Sequence, residues 1–434
     1  MKRKVISSVC ILLGITIIIV FYLYERQKTT VITFGMFTGS NWDVPNGDTY
    51  EIIDQAIERF EQSHDRVKIE YVSGLQKKDY AEWLSQQALT GNLPDVFLVR
   101  SDDLHTFANV GMLEPLDSYI EKDPKMDAER YFTPALQSGR YQQSQYALPY
   151  ESVPTMMYVN KTLLDQYGIP LPDNDWTWDD FYTICKEVSQ DVDGDGRLDT
   201  FGVYGYTWQN ALAANNATIF NEDGTQVVLN HKYVYEAVVF MRKLEQLNEQ
   251  TAVTGDMFDQ GMVAFCPMSF SEYRTYKPYP WRIKKYSNFE WECIPMPAGP
   301  QGANVSQLDT LSVGISSRSS RKELAWEFLK ALCYDETTQQ DIFRYSQGVS
   351  VLRDVTTSPA VVDMLLKDVP GATAFDMEFL NDTMEYALPN VKFTDYDQVV
   401  AVADSEIRRL LNTDEDISTA LTALQNQIND MLQK

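Results

Sequence analysis

Between residues 31 and 99, short apolar runs alternate with amphipathic stretches, and few folds accommodate that order. Residues 31–37 (VITFGMF) predict a buried strand. Ile52, Ile53, Ala56, Ile57 and Phe60 then recur at helical spacing over residues 50–61. Residues 67–72 (VKIEYV) alternate as a strand, 80–89 predict a helix, and 94–99 (PDVFLV) predict a third strand. Strands separated by helices need crossover connections, so they pair in parallel with helices on the faces of the sheet. Ligands of such sheets bind beyond the carboxyl ends of the strands. The loops after Phe37 and Val99 are therefore the first places to look, and they hold Asn41, Trp42 and Asp102.

A second unit begins near residue 146. Residues 146–161 read YALPYESVPTMMYVNK. Thr177 is a plausible N-cap for a helix starting at Trp178. Further expectations are a helix over 233–247, strands at 262–266, 289–294 and 311–315, and a helix over 321–332. An amphipathic helical tail follows from about residue 360. The fold class expected from these elements is α/β, in a chain long enough for two domains.

The N-terminus bears on location. Lys2, Arg3 and Lys4 precede an apolar run from Val5 to Tyr24. A run of about 20 apolar residues spans a bilayer, and the basic flank stays inside. Residues 1–24 thus predict a transmembrane anchor, or a signal segment if cleaved, with 25–30 as linker. The run ends in bulky Phe21, Tyr22, Leu23 and Tyr24 rather than small residues, which favours the uncleaved form. Cys10 lies too early in the run for lipid attachment. The formal net charge of -25 argues against nucleic acid as a partner. Five cysteines form no C-x-x-C pair and read as free thiols, and three widely spaced histidines match no zinc-ligand pattern.

Several segments, in order, resemble the family 1 extracellular solute-binding proteins of ABC importers, the group containing maltose-binding protein. They are VITFGMF, LPDVFLVRSDDLHTFANVGMLEPLDSYI, YALPYESVPTMMYVNKTLLDQYGIPLP, WTWDDF, QGMVAFCPMSF, ECIPMPAGPQG, LSVGISSRSSRKELAWEFLKALCYDE and DISTALTALQNQINDML. The resemblance implies a two-domain α/β fold of discontinuous domains joined by a hinge, 31–154 with 312–350 and 155–311 with 351–434, with the ligand cleft between them. It further implies a monomeric protein that clamps a carbohydrate by domain closure and delivers it to ABC permease subunits at the outer membrane face. A sugar sensor reporting to a membrane partner is the alternative.

A sugar site needs aromatic faces for pyranose rings and carboxylates or amides for hydroxyls. Trp42 is either such a platform or a lid over the core. Asp102 sits where the family often places a carboxylate on sugar hydroxyls, and would otherwise serve as a helix N-cap. Tyr150 and Glu151 lie in the segment that faces the cleft in the family. Trp208 stands beside two amides, Gln209 and Asn210. Phe270 and Tyr396 occupy family positions for stacking, and Asp309 precedes the returning hinge strand.

Asp191, Asp193 and Asp195 with Gly196 make D-x-D-x-D-G, the start of a calcium loop. The Arg197 carbonyl and Asp199 supply the next oxygens, but Gly202 stands where a bidentate Glu is usual. A structural Ca2+ is expected here, an acidic turn being the alternative. No motif sets two carboxylates across a cleft for glycoside hydrolysis, so binding without catalysis is expected.

Overall fold

The computed structural model describes residues 29–45, 50–221, 224–276, 289–367, 377–393 and 395–433. The apolar segment of residues 1–24 lies outside them. Among the described residues no helix is long and apolar enough to cross a membrane.

The expected parallel unit is present. β1 (Thr30–Gly35) pairs in parallel with β2 (Val67–Tyr71) and β3 (Val96–Val99). The connecting helices Glu51–Ser63 and Lys77–Thr90 bury Ile52, Ile53, Ala56 and Phe60 on one and Tyr80 and Leu84 on the other. Arg140–Tyr141 (β4) and Ser144–Gln145 (β5) form a separate small hairpin. The strands β6 (Ala147–Asn160), β7 (Phe201–Val203), β8 (Val263–Ser269), β9 (Trp291–Ile294), β10 (Gln307–Ile315), β11 (Val349–Ser350) and β12 (Leu388–Pro389) follow. The main sheet has ten strands, in the path β2-β1-β3-β10-β6-β8-β7, with β9, β11 and β12 paired off it.

β6 joins the two halves. Residues 147–154 pair antiparallel with β10, and residues 155–159 pair with β8. A central strand with two prolines is unusual, because proline cannot donate to the ladder. Both fall where the pairing changes. Pro149 lies at the register shift opposite Leu311 and Ser312, and Pro154 is the last residue paired with β10. Thirteen of the 14 residues of β6 are buried, so both faces are covered.

The apolar side chains form three clusters. The first packs Phe34, Phe97, Trp326 and Phe328 around β1, β3 and helix Lys322–Cys333. The second gathers Trp176, Trp178, Phe181, Trp208, Phe240 and Phe265 with the C-terminal helix Ile417–Leu432. Trp178 stacks on Phe240 with ring centroids 4.2 Å apart. Its helix, Trp178–Val188, starts from a reciprocal capping box between Thr177 and Asp180, as the N-cap reading expected. The third cluster collects Tyr131, Phe132, Tyr158, Phe258, Phe270 and Phe343, from segments on either side of the chain crossings. Full burial of one such ring is worth roughly 1.5–3 kcal/mol, so each cluster is a substantial core. Among the described residues Cys185, Cys266, Cys293 and Cys333 are free thiols.

Candidate functional site

The loop after β1 is held by Lys77, whose Nζ donates to the Asn41 carbonyl at 2.6 Å and pairs with Asp43 Oδ1 at 2.8 Å. This fixes Trp42, which is half-buried against the first and third cores. Its indole N–H has no partner in good hydrogen-bond geometry, yet it lies close enough to Glu151 to favour that carboxylate's charge.

Tyr150 and Glu151, expected at the cleft, are placed in the buried stretch of β6. They are 5% and 4% exposed, because β6 is covered on both sides. Ser346 Oγ donates to Glu151 Oε1 at 2.5 Å, and Gly348 packs where a Cβ would strike the carboxylate. Burial raises the Glu151 pKa, against opposing help from Ser346, Trp42, the Gly348 backbone and Arg274. Phe270 is buried too. It is fully buried in the third core and stacked on Tyr273 at 5.6 Å.

Asp102 lies in the first turn of helix Ser101–Asn109, just beyond β3. Arg100 holds the N-cap position and no side chain caps the helix, so the N-cap alternative for Asp102 does not hold. Its carboxylate pairs with Arg100 and, at 2.6 Å, with Lys392 Nζ. Burial opposes its charge, but Lys392, Arg100 and Lys77 together hold its pKa below the usual carboxylate value. Neighbouring Asp103 is pushed up to about 6, chiefly by burial. Asp309 accepts from Asn390 Nδ2 at 2.8 Å. Its side chain reaches solvent, but protein surrounds it in the cleft, and that loss of hydration raises its pKa against the pull of Asn390, Lys392 and Lys77. Lys392 also lies 5.7 Å from the Tyr396 ring centroid.

Next to this charged cluster is a cavity of about 630 Å³, lined by Trp208 and Tyr396 from the predicted set. The Thr207–Asn210 capping box sets the start of helix Trp208–Ala214, and Trp208 Nε1 donates to Asp404 Oδ1 at 3.1 Å. Phe220 stacks on Tyr396 at 5.7 Å and tilts against Phe393 at 5.4 Å. Asn390 and Gln307 also line the cavity, and Asn390 ties it to Asp309. Of the predicted set, Trp208 and Tyr396 line this cavity, Asp102 and Asp309 belong to the charged cluster beside it, and Asn41 and Trp42 lie in the loop held by Lys77. Apolar rings stand beside fixed hydrogen-bonding groups, the arrangement that polyhydroxylated ligands require. Lys392, Asn390 and His105 escaped the sequence reading. A lone Lys or His in an acidic chain reads as solvated, and its partners come from separate segments of the chain.

The aspartate loop is separate from this lining. The carboxylates of Asp191, Asp193 and Asp195 are exposed and bring oxygens within 4.8 Å of one another. Asp191 accepts from the Gly194 and Gly196 amides at 2.7 and 2.8 Å, and Asp199 from Val192 at 2.8 Å. A carboxylate oxygen keeps lone pairs after one such bond, so the donor set suits a hard cation.

The chain has relatives of known class. A binding protein of Brucella abortus is 24% identical over 266 residues, and the match covers 57% of this chain and 60% of that protein's length. The galactooligosaccharide-binding protein of Bacillus subtilis is 23% identical over 331 residues, covering 71% of this chain and 72% of its own. Among solved structures, the cyclic alpha-maltosyl-1,6-maltose binding protein from Arthrobacter globiformis superposes with a TM-score of 0.76 at 16% identity, over 93% of this chain and 99% of that one. At that identity the likeness establishes the fold, a two-domain α/β binding fold. The family model for bacterial extracellular solute-binding proteins matches residues 45–336. With that match spanning most of the chain and the fold agreeing, the protein belongs to the bacterial extracellular solute-binding protein family.

Proposed function

We propose that this chain captures a carbohydrate in the cleft between its lobes and delivers it to an ABC permease at the outer face of the membrane. The observation that carries the reading is the aromatic-lined cavity beside the Asp102–Lys392–Asp309 cluster. Flat apolar rings meet oriented carboxylate and amide groups there, which is the chemistry of a sugar ligand. The moving units are 31–154 with 312–350 and 155–311 with 351–434, closing by a hinge. The apolar segment of residues 1–24 holds the protein at the membrane, and its role is to bind without catalysis.

The full-length chain recovered from a membrane fraction, with Met1 or its neighbour at the N-terminus, is the material for the test. Mono- and oligosaccharides should raise its melting midpoint, because a ligand that binds only the native state stabilises it, and they should be recovered unchanged. An amino acid or peptide as the sole stabilising ligand refutes the carbohydrate reading. A mature N-terminus beyond Tyr24 refutes the anchor.

The aspartate loop is proposed to hold one structural Ca2+ through Asp191, Asp193, Asp195, Asp199 and the Arg197 carbonyl. Exposed carboxylates so close together repel in the absence of a cation. Chelator should lower the melting midpoint, and Ca2+ should restore it. A midpoint indifferent to both rules the site out.

A further inference from the structure

We propose that the Asp102–Lys392 ion pair is a closing latch between the two lobes, built so that the cleft can open again without stranding either charge. The inference rests on the hinge closure proposed above and not on the identity of the ligand.

The pair joins elements of different cores. Asp102 lies on helix Ser101–Asn109, whose Leu104, Phe107 and Ala108 belong to the first core. Lys392 precedes Phe393, which packs against the second core and tilts on Phe220 at 5.4 Å. The segment that carries Lys392 is itself fastened. Leu388 and Pro389 form β12 on β10, and the Asn390 amide donates to the Leu308 carbonyl at 2.9 Å. The Phe393 ring sits so close to Gly224 that an added Cβ there would strike it.

Two consecutive residues make the crossing. Lys392 Nζ meets Asp102 Oδ1 at 2.6 Å, and the Phe393 ring meets His105 edge-on at 4.8 Å. Asp102 and His105 are three residues apart on one helix, hence on one face of it, so a charge contact and a ring contact form together. The two charged side chains are 24% and 22% exposed, which shields their attraction from salt better than a fully exposed pair. The approach to Oδ1 lacks hydrogen-bond geometry, so the contact needs a cation at this place rather than a directed N–H.

Each charge also has company in its own surroundings. Arg100, at the start of the same helix, pairs with Asp102. Asp309 and Asp397, the latter on helix Tyr396–Leu411, both favour the charge of Lys392. When the lobes part, Asp102 keeps Arg100 and Lys392 keeps its acidic neighbours. A covered charge stripped of every partner would resist opening strongly. Here none is stripped, so the pair biases the open–closed equilibrium instead of locking it.

The experiment is pulsed electron–electron resonance on the full chain in detergent, without added sugar. Spin-labelled non-natural residues replace Leu89, on helix Lys77–Thr90, and Tyr235, on helix Lys232–Gln246, both exposed and one on each lobe. Lys392→Met and Asp102→Asn should each raise the ratio of long to short separations about 2- to 5-fold, the worth of one ion pair. Lys392→Arg should return the parent's ratio. Arg100→Gln should lower the ratio, because Asp102 then has a cation only in the closed form. A folded Lys392→Met or Asp102→Asn protein with the parent's ratio, in a parent that shows two separations, overturns the latch and leaves the hinge standing. So does an Arg100→Gln ratio that rises with that of Lys392→Met, since loss of any charge in the cluster then has the same effect. A single separation shared by the parent and every variant removes the hinge motion and the latch together. The carbohydrate reading is tested separately, by the melting midpoints above.

Discussion

Replacing Gln339 by Leu should lower the unfolding free energy by about 3–5 kcal/mol, as several buried polar groups lose their partner together. Gln339 is fully buried in helix Glu336–Tyr345. Its Nε2 donates to the carbonyls of Tyr150 at 3.0 Å and Leu332 at 3.1 Å. Its Oε1 accepts from Ser350 Oγ at 2.8 Å and from the Val351 amide at 3.1 Å. One amide therefore ties β6, β11 and helix Lys322–Cys333 together next to Glu151. Leucine keeps much of the volume but satisfies none of these groups, and water has no easy route to them. Equilibrium denaturation with urea measures the loss. A change below about 1 kcal/mol means that the groups find other partners and the network is not the tie described here.

Trp208→Ala should cost about 3–5 kcal/mol of stability and, in addition, about 1–3 kcal/mol of ligand affinity. The stability loss follows from burial. Trp208 is 3% exposed, belongs to the second core, and leaves Asp404 without its indole donor when removed. The affinity loss follows from its place in the cavity wall. Trp208→Phe separates the two effects, since it keeps an aromatic face and most of the packing while giving up the bond to Asp404. Denaturation and calorimetry on the same preparations give both numbers. An Ala variant as stable as the parent contradicts the packing, and one that is folded and binds like the parent removes Trp208 from the site.

The sequence by itself determined the parallel β1–β2–β3 unit, the start of helix Trp178–Val188 at Thr177, and the positions of Trp42 and Asp102 at the carboxyl ends of strands. Each of these rests on local information: periodicity, a capping pair four residues long, or a rule about where loops fall on a parallel sheet. Tertiary structure alone decided the rest. Tyr150 and Glu151 are cleft candidates by family resemblance, and only the fold shows that β6 is covered on both faces, because no pattern within the strand records what covers the second face. Phe270 is a stacking candidate by the same resemblance, and only the fold places it in a third core that forms where distant segments cross. Asp102 is an acidic residue near a strand end until Lys392, from a segment close to the C-terminus, pairs with it. His105 is one of three scattered histidines until Phe393 and the Gln142–Gln143 turn enclose it. Local propensity is carried by neighbours in the chain, whereas burial and charge pairing depend on residues brought close only by the folded topology, and the candidate site is built from the second kind.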